Sequence, residues 1–356
     1  MNRIALFLPN WVGDVVMATP AIRAVRATYP AAELLAVCKP YVADVVAGAP
    51  WFRDVIRFDK SGRSEQRFWA VARRLRTERI DAALLFPNSF RAALLARLGG
   101  CGRVIGFRRY GRGFLLSAPK LDAKTERGRY VPTPVIDDYN RLAVALGAAD
   151  PGHRQELFTT PADEAAADAV WQRFGLGRYG RVVLLNPGAA FGAAKFWPGD
   201  SFAALARMLV QRAGAGVLVL CGPAERDLAR CIADTSRSPH VHSLADSDLS
   251  LGLTKAVVRR ADLLVTTDSG PRHFAAAFDR PVVTLFGPTH LEWTETYFPK
   301  AANLRVAVPC GPCQRRVCPL DHRCMTGLTP DAVFAAAAGL FGRFPLPQAA
   351  EVRRAG

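Results

Sequence analysis

Short apolar runs alternate with helix-like stretches along this chain, and the alternation starts afresh half-way. In the first half, Arg3–Pro9, Glu33–Lys39, Asp54–Asp59, Ala82–Phe86 and Arg103–Phe107 read as strands. Between them Val15–Thr28, Tyr41–Gly48, Arg63–Glu78 and Ser89–Leu98 read as helices. Within Val15–Thr28, Val15, Ala18, Ile22 and Val25 share one face. The second half repeats the grammar. Its strands are Arg181–Asn186, Gly216–Gly222, Val241–Leu244, Leu263–Thr267 and Pro281–Phe286. Its helices are Pro161–Phe174, Pro198–Ala213, Ala224–Thr235, Leu249–Arg260, Pro271–Phe278 and a last one, Thr329–Phe341, before a polar tail. Such alternation predicts parallel sheets covered by helices, here two doubly wound α/β domains. Tyr110–Pro134, rich in Gly, Pro, Arg and Lys, predicts an exposed loop or short hairpin, followed by a helix at Asp137–Leu146. Gly147–Gln155 reads as a linker and sets the domains at 1–152 and 153–356, a division that suits 356 residues.

In open α/β sheets ligands bind beyond the carboxyl ends of the strands, so the residues there carry the functional argument. After the first strand come Asn10, Trp11, Gly13 and Asp14. Asp14 falls at the start of a helix, as a cap or as a carboxylate placed to accept a proton. No G-x-G-x-x-G follows, which argues against a dehydrogenase. The first strand of the second half ends in Asn186-Pro187-Gly188-Ala189, a small-residue loop that reaches Lys195 and suits close approach to an anion. The next ends in Cys221-Gly222-Pro223-Ala224-Glu225, with a carboxylate able to cap its helix or accept from ribose hydroxyls. The fourth ends in Asp268-Ser269-Gly270-Pro271-Arg272-His273, an anion-suited helix start where Arg272 and His273 could add charge or hydrogen bonds. A hydrolase triad is rejected, because G-x-S-x-G is absent and residues so close in sequence rarely form one. This edge of the second domain reads as a site for a nucleotide diphosphate.

The formal net charge is +16, and residues 1–150 carry +11 of it. A basic first domain attracts a phosphorylated ligand, an anionic membrane face or nucleic acid. Basic residues are dispersed and no RRM, KH or C2H2 spacing appears, so the nucleic-acid reading is set aside as the alternative of a different class. No apolar run approaches the ~20 residues of a membrane helix. The apolar run near the start is too short for a signal peptide, so a cytoplasmic protein is expected. Four of the eight cysteines lie close together, as Cys310-x2-Cys313-x4-Cys318-x5-Cys324. Only one C-x-x-C knuckle is present, which leaves three readings open: a structural zinc, reduced packed thiols, or a disulfide formed on oxidation.

The segments PNWVGDVVMATPAIRAVR (9–26), NPGAAFGAAKFWP (186–198), CGPAERD (221–227), TTDSGPRHFAAAFDRPVVTLFGPT (266–289) and CGPCQRRVCPLDHRCM (310–325) resemble glycosyltransferase family 9, the ADP-heptose:lipopolysaccharide heptosyltransferases, and most nearly their heptosyltransferase II branch. The resemblance implies the GT-B architecture, two Rossmann-like domains facing across a cleft, and an inverting transfer of heptose from ADP-heptose to a core heptose of lipopolysaccharide. It assigns Asp14 as general base and Lys195 to the donor phosphates. Glu225 contacts the ribose, while Asn186, Gly188, Ala189, Gly222, Asp268, Ser269, Gly270 and His273 line the donor site. Asn10, Trp11, Gly13, Arg63 and Arg67 are the expected acceptor residues, with the Arg108–Arg112 loop a further source of charge. No metal is expected in catalysis. The partners implied are ADP-heptose, the inner-core acceptor and the anionic inner-membrane face, to which the enzyme would attach peripherally. Alternatives within the architecture are a family member with another donor or acceptor, and a sugar-nucleotide epimerase. Phe196 and Arg272 depart from the family pattern, which commonly has a basic and an apolar residue there.

Overall fold

The computed structural model describes residues 1–126 and 129–344. The polar tail beyond lies outside them. The chain divides into two units: Met1–Thr160 with Leu291–Tyr297, and Pro161–His290 with the residues from Phe298 onward. The first unit therefore runs past the expected boundary at 152. The reason is local packing. The Thr19 hydroxyl accepts from the Glu156 N–H at 3.1 Å, and Trp51 meets Phe158 edge to face. The expected linker is thus part of the first unit's surface.

The first unit holds β1 (Arg3–Phe7), β2 (Glu33–Cys38), β3 (Asp54–Arg57), β4 (Ala82–Leu85) and β5 (Arg103–Ile105). They form one parallel sheet in the order β3-β2-β1-β4-β5, with Ile4 opposite Leu34 on one side and Ala82 on the other. Helices cover both faces, so β1, β2 and β4 are buried almost throughout. The loop after β5 carries a two-stranded antiparallel hairpin, β6 (Thr125–Glu126) and β7 (Arg129–Tyr130), as its composition predicted. The expected helix Val15–Thr28 is two helices, Val12–Met17 and Thr19–Thr28, because Pro20 lacks the N–H that a continuous helix needs.

The second unit holds β8 (Val182–Asn186), β9 (Gly216–Val219), β10 (Val241–Ser243), β11 (Leu263–Thr267), β12 (Val282–Phe286) and β13 (Ala301–Arg305). Their order is β10-β9-β8-β11-β12-β13, again parallel. Strand order reverses between β1 and β4 in one sheet and between β8 and β11 in the other. These are the switch points where such folds bind ligands, and Asp14, Lys195 and Asp268 all follow a switch-point strand.

One buried cation shapes the first switch point. Arg112 is fully buried, and burial followed by the nearby Arg109 charge lowers its guanidinium to about 10. It donates to the carbonyls of Phe107, Pro87 and Ser89 and to Asn88 Oδ1, at 2.6–3.2 Å, and so ties the β4 turn to the β5 loop. Arg112→Met should cost roughly 2–4 kcal/mol, because it leaves several buried acceptors without a donor. A urea midpoint unchanged from wild type would show that those carbonyls find other partners.

Candidate active site

A cavity of about 460 Å³ opens at the β1/β4 switch point of the first unit. Asn10, Trp11 and Asp14 line it from the β1 side, Phe86 and Asn88 from the β4 turn, and Arg109 and Lys124 from the loop after β5. Asp138, Tyr139 and Trp293 complete its wall. Asp14 stands in the first turn of Val12–Met17. Its charge reaches two phenols. Burial and then Asp14 push Tyr139 well above its ordinary range, and the same two causes raise Tyr41. The Tyr41 hydroxyl donates to the Asn10 carbonyl, which fixes the loop before the helix. Asp138 is a second carboxylate in the cavity. Burial raises it against the pull of Arg141, whose Nη1 lies 3.2 Å away. Arg109 stacks on Tyr130, 3.9 Å from the ring centre, and its buried Nε has no hydrogen-bond partner among the described residues.

Of the expected acceptor residues, Asn10 and Trp11 line this cavity, and Gly13 is buried in the adjoining helix. Arg63 and Arg67 do not reach it. Both are exposed on the segment between β3 and helix Phe68–Glu78, and Arg67 donates to the Gly62 carbonyl. Arg109, within the loop already singled out, and Lys124 supply the cavity's cations instead. Asn88 was legible by the strand-end rule and passed over. Trp293 was not, since it comes from the short segment that returns to the first unit.

The second unit gathers the other expected residues beyond β8, β9 and β11. Asn186 ends β8, and its Nδ2 lies within hydrogen-bond distance of Thr266 Oγ1 and Ser269 Oγ (2.9 Å each) and the Gly188 carbonyl (3.3 Å). Thr267 Oγ1 donates to the same carbonyl at 2.8 Å. The Glu225 carboxylate accepts from the Gly222 N–H at 2.8 Å and lies against Gly188, where any Cβ would stand 2.0 Å from it. The turns after β8 and β9 are therefore locked together, with Ala189 buried between Gly188 and the rest of the loop.

Lys195 ends a short helical turn, Ala193–Lys195, and is buried. Its Nζ donates to the Asp268 carbonyl and to Asp268 Oδ2, both at 2.7 Å. Thr289 Oγ1 donates to the same oxygen at 2.7 Å, and Arg272 Nη1 approaches Oδ1 at 3.3 Å. Burial by itself would raise the Asp268 carboxyl, but Lys195, then Arg272, hold it down to about 2. Two cations and one carboxylate leave this buried group net positive, at the N-terminus of helix Gly270–Ala277. Such a group suits an anion. His273 adds no charge. Burial, reinforced by Arg272, lowers its imidazole to about 3, so it is neutral at physiological pH. Its buried Nδ1 has no hydrogen-bond partner among the described residues. Arg272, the departure noted above, packs over the Phe286 ring while pairing with Asp268.

The four clustered cysteines line one small pocket and are all free thiols. Burial, then the nearby Cys318, Cys310 and Cys313, raise Cys324. Among the described residues no three His, Cys, Asp or Glu side chains are placed to hold a metal ion together.

Known proteins resemble this chain along nearly its whole length. Lipopolysaccharide heptosyltransferase 2 of Escherichia coli is 26% identical, over 85% of this chain and 88% of its own. Lipooligosaccharide heptosyltransferase 2 of Campylobacter jejuni is also 26% identical, over 95% and 98%. The solved structure of E. coli ADP-heptose lps heptosyltransferase II superposes with a TM-score of 0.77 at 24% identity, covering 96% of this chain and 99% of that one. The family model described as glycosyltransferase family 9 (heptosyltransferase) matches residues 68–323, which take in strands of both sheets and the Lys195–Asp268 group. The chain belongs to glycosyltransferase family 9 (heptosyltransferase).

Proposed function

We propose that the protein moves heptose from ADP-heptose to a heptose of the lipopolysaccharide inner core, with inversion at the anomeric carbon. One observation carries this reading beyond family membership: each switch point bears the chemistry that one half of such a transfer needs. In the first unit a carboxylate opens into a cavity walled by aromatic rings and cations. Aromatic faces suit sugar rings, and Arg109 and Lys124 suit the carboxylates or phosphates of an anionic acceptor. In the second unit a buried, net positive group suits a diphosphate.

Asp14 takes the proton of the attacking hydroxyl as the new glycosidic bond forms and the anomeric C–O bond to the diphosphate breaks. The departing ADP gathers negative charge, which Lys195 and the N–H groups at Gly270 stabilise. Glu225 accepts from the ribose. The cations that a metal would otherwise supply come from the protein in this reading, so catalysis needs none. Among the described residues no helix is long and apolar enough to cross a membrane. The basic excess of residues 1–150, with Trp69 and Phe114 largely exposed, supports peripheral attachment to the anionic cytoplasmic face of the inner membrane.

The test is ADP release from ADP-heptose, with and without a heptose-bearing truncated lipopolysaccharide. Release should depend on acceptor and rise when the acceptor sits in anionic rather than neutral vesicles. No acceptor-dependent release would remove the donor and acceptor assignments together. Equal rates in the two vesicles would remove the membrane preference alone. A sugar nucleotide isomerised without acceptor would favour the epimerase.

A further inference from the structure

The Lys195 turn does not hold its own position. Ala194, the residue before the lysine, is buried, and both its backbone polar groups are bound by the cysteine-rich segment. Its N–H donates to the Arg316 carbonyl at 3.0 Å, and its carbonyl accepts from His322 Nε2 at 2.7 Å. The turn and the segment also meet without clearance, since a Cβ on Gly192 would stand 2.5 Å from the Arg316 carbonyl oxygen. On the other side the Gln314 N–H donates to the Pro288 carbonyl at 2.8 Å. Pro288 precedes Thr289, whose hydroxyl holds Asp268. One segment thus grips the turns on both flanks of the Lys195–Asp268 pair.

His322 is itself fixed. Its backbone is left-handed, with φ of 60°, and its carbonyl accepts from the N–H groups of Met325 and Thr326. Met325 is fully buried under Gly287, where a Cβ would lie 2.5 Å from its sulfur. Because a carbonyl only accepts, the imidazole must carry its hydrogen on Nε2.

We propose that His322 is a positioning residue for donor binding: through the Ala194 carbonyl it holds the turn that aims Lys195 at the diphosphate. This rests on the reading of Lys195 as the diphosphate's cation. The fold needs a side chain that fills the site, whereas the positioning role needs the N–H, and the two demands separate by substitution. His322→Phe keeps a ring and loses the donor. His322→Gln places an amide N–H near the same point.

The experiment pairs two readouts on the full-length protein. Steady-state rates with ADP-heptose and truncated acceptor give KM and kcat for each substrate. Amide hydrogen exchange over 189–197 reports the turn without any substrate. For His322→Phe, kcat/KM for the donor should fall roughly three- to tenfold, the loss expected for one hydrogen bond. Acceptor KM should stay put, and exchange at Ala194 should quicken. His322→Gln should restore most of both. Equal impairment of Phe and Gln variants would overturn the proposal, as would unchanged donor kinetics or unchanged exchange in the Phe variant. If the wild type turns over no ADP-heptose, the functional reading falls. The exchange comparison then decides the brace: faster exchange in Phe but not in Gln upholds it, and no difference rejects it.

Discussion

Asp14→Asn should lower kcat by about 10²–10⁴-fold while leaving the affinity for ADP where it was. The amide matches the carboxylate in shape and accepts a hydrogen bond but takes no proton. The residues proposed to hold the nucleotide lie in the other unit, which is why ADP binding should not change. Folding should survive as well, since a first-turn carboxylate contributes about 0.3–1 kcal/mol through the helix dipole. The cavity supplies its own control. Asp138 also lines it, from the helix Val135–Leu146, with Arg141 and the Thr133 hydroxyl on its carboxylate. With Asp14 as the base, Asp138→Asn should cost far less in kcat than Asp14→Asn. The reverse order would move the base to Asp138. Retention of more than a tenth of wild-type kcat in both variants would remove carboxylate base catalysis from this cavity.

The parts of the structure legible in the sequence are those with a period or a turn chemistry. Buried parallel strands such as β4 and β8 are continuous apolar runs, and each expected donor-site turn lies where a strand-end argument put it. The edge strand β13 was missed for a matching reason. Ala301–Arg305 is half-buried, so AANLR carries no apolar run. The split at Thr19-Pro20 was written in the proline, but the shared apolar face outweighed it. Arginine roles were the least legible. Arg63 and Arg67 are solvated, Arg109 lines the cavity, and Arg112 is buried among carbonyls. One side chain thus serves three environments, and only long-range packing tells them apart. His273 reads as a source of charge or hydrogen bonds, and burial, which its local sequence does not encode, keeps it neutral. The cysteine spacing left metal and thiol readings open, while the backbone bonds of that segment to Ala194 and Pro288 had no signal in it. Carbonyl–amide pairing between distant loops leaves no trace in residue type.

Lys195→Ala should lower kcat/KM for the donor by about 10²–10³-fold, the scale of removing one preorganised charge from a developing anion. The loss should follow the diphosphate: ADP affinity should fall while adenosine affinity stays near wild type. Lys195 also holds buried Asp268, so the same variant has a stability arm. Removing the sole partner of a buried charge costs about 3–5 kcal/mol. Here Arg272 and Thr289 remain on the carboxylate, so the cost should fall below that range. The pH dependence separates the two arms. Asp268 sits at about 2 in the folded protein, below its ordinary 3.8. Its stabilisation is therefore complete above the ordinary value and is lost as pH falls through 3.8 toward 2. Without Lys195 the folded value rises toward the ordinary one, which shrinks that contribution and moves acid unfolding to higher pH. Lys195→Arg should keep much of the acid stability, because a cation remains. It should recover less of the activity, because a planar fork does not reproduce an ammonium aimed between the Asp268 carbonyl and carboxylate. If Lys195→Ala moves acid unfolding but leaves ADP affinity and turnover within a few-fold of wild type, the lysine serves only Asp268. The cation for the leaving diphosphate would then have to be sought elsewhere, with Arg272 the first to test.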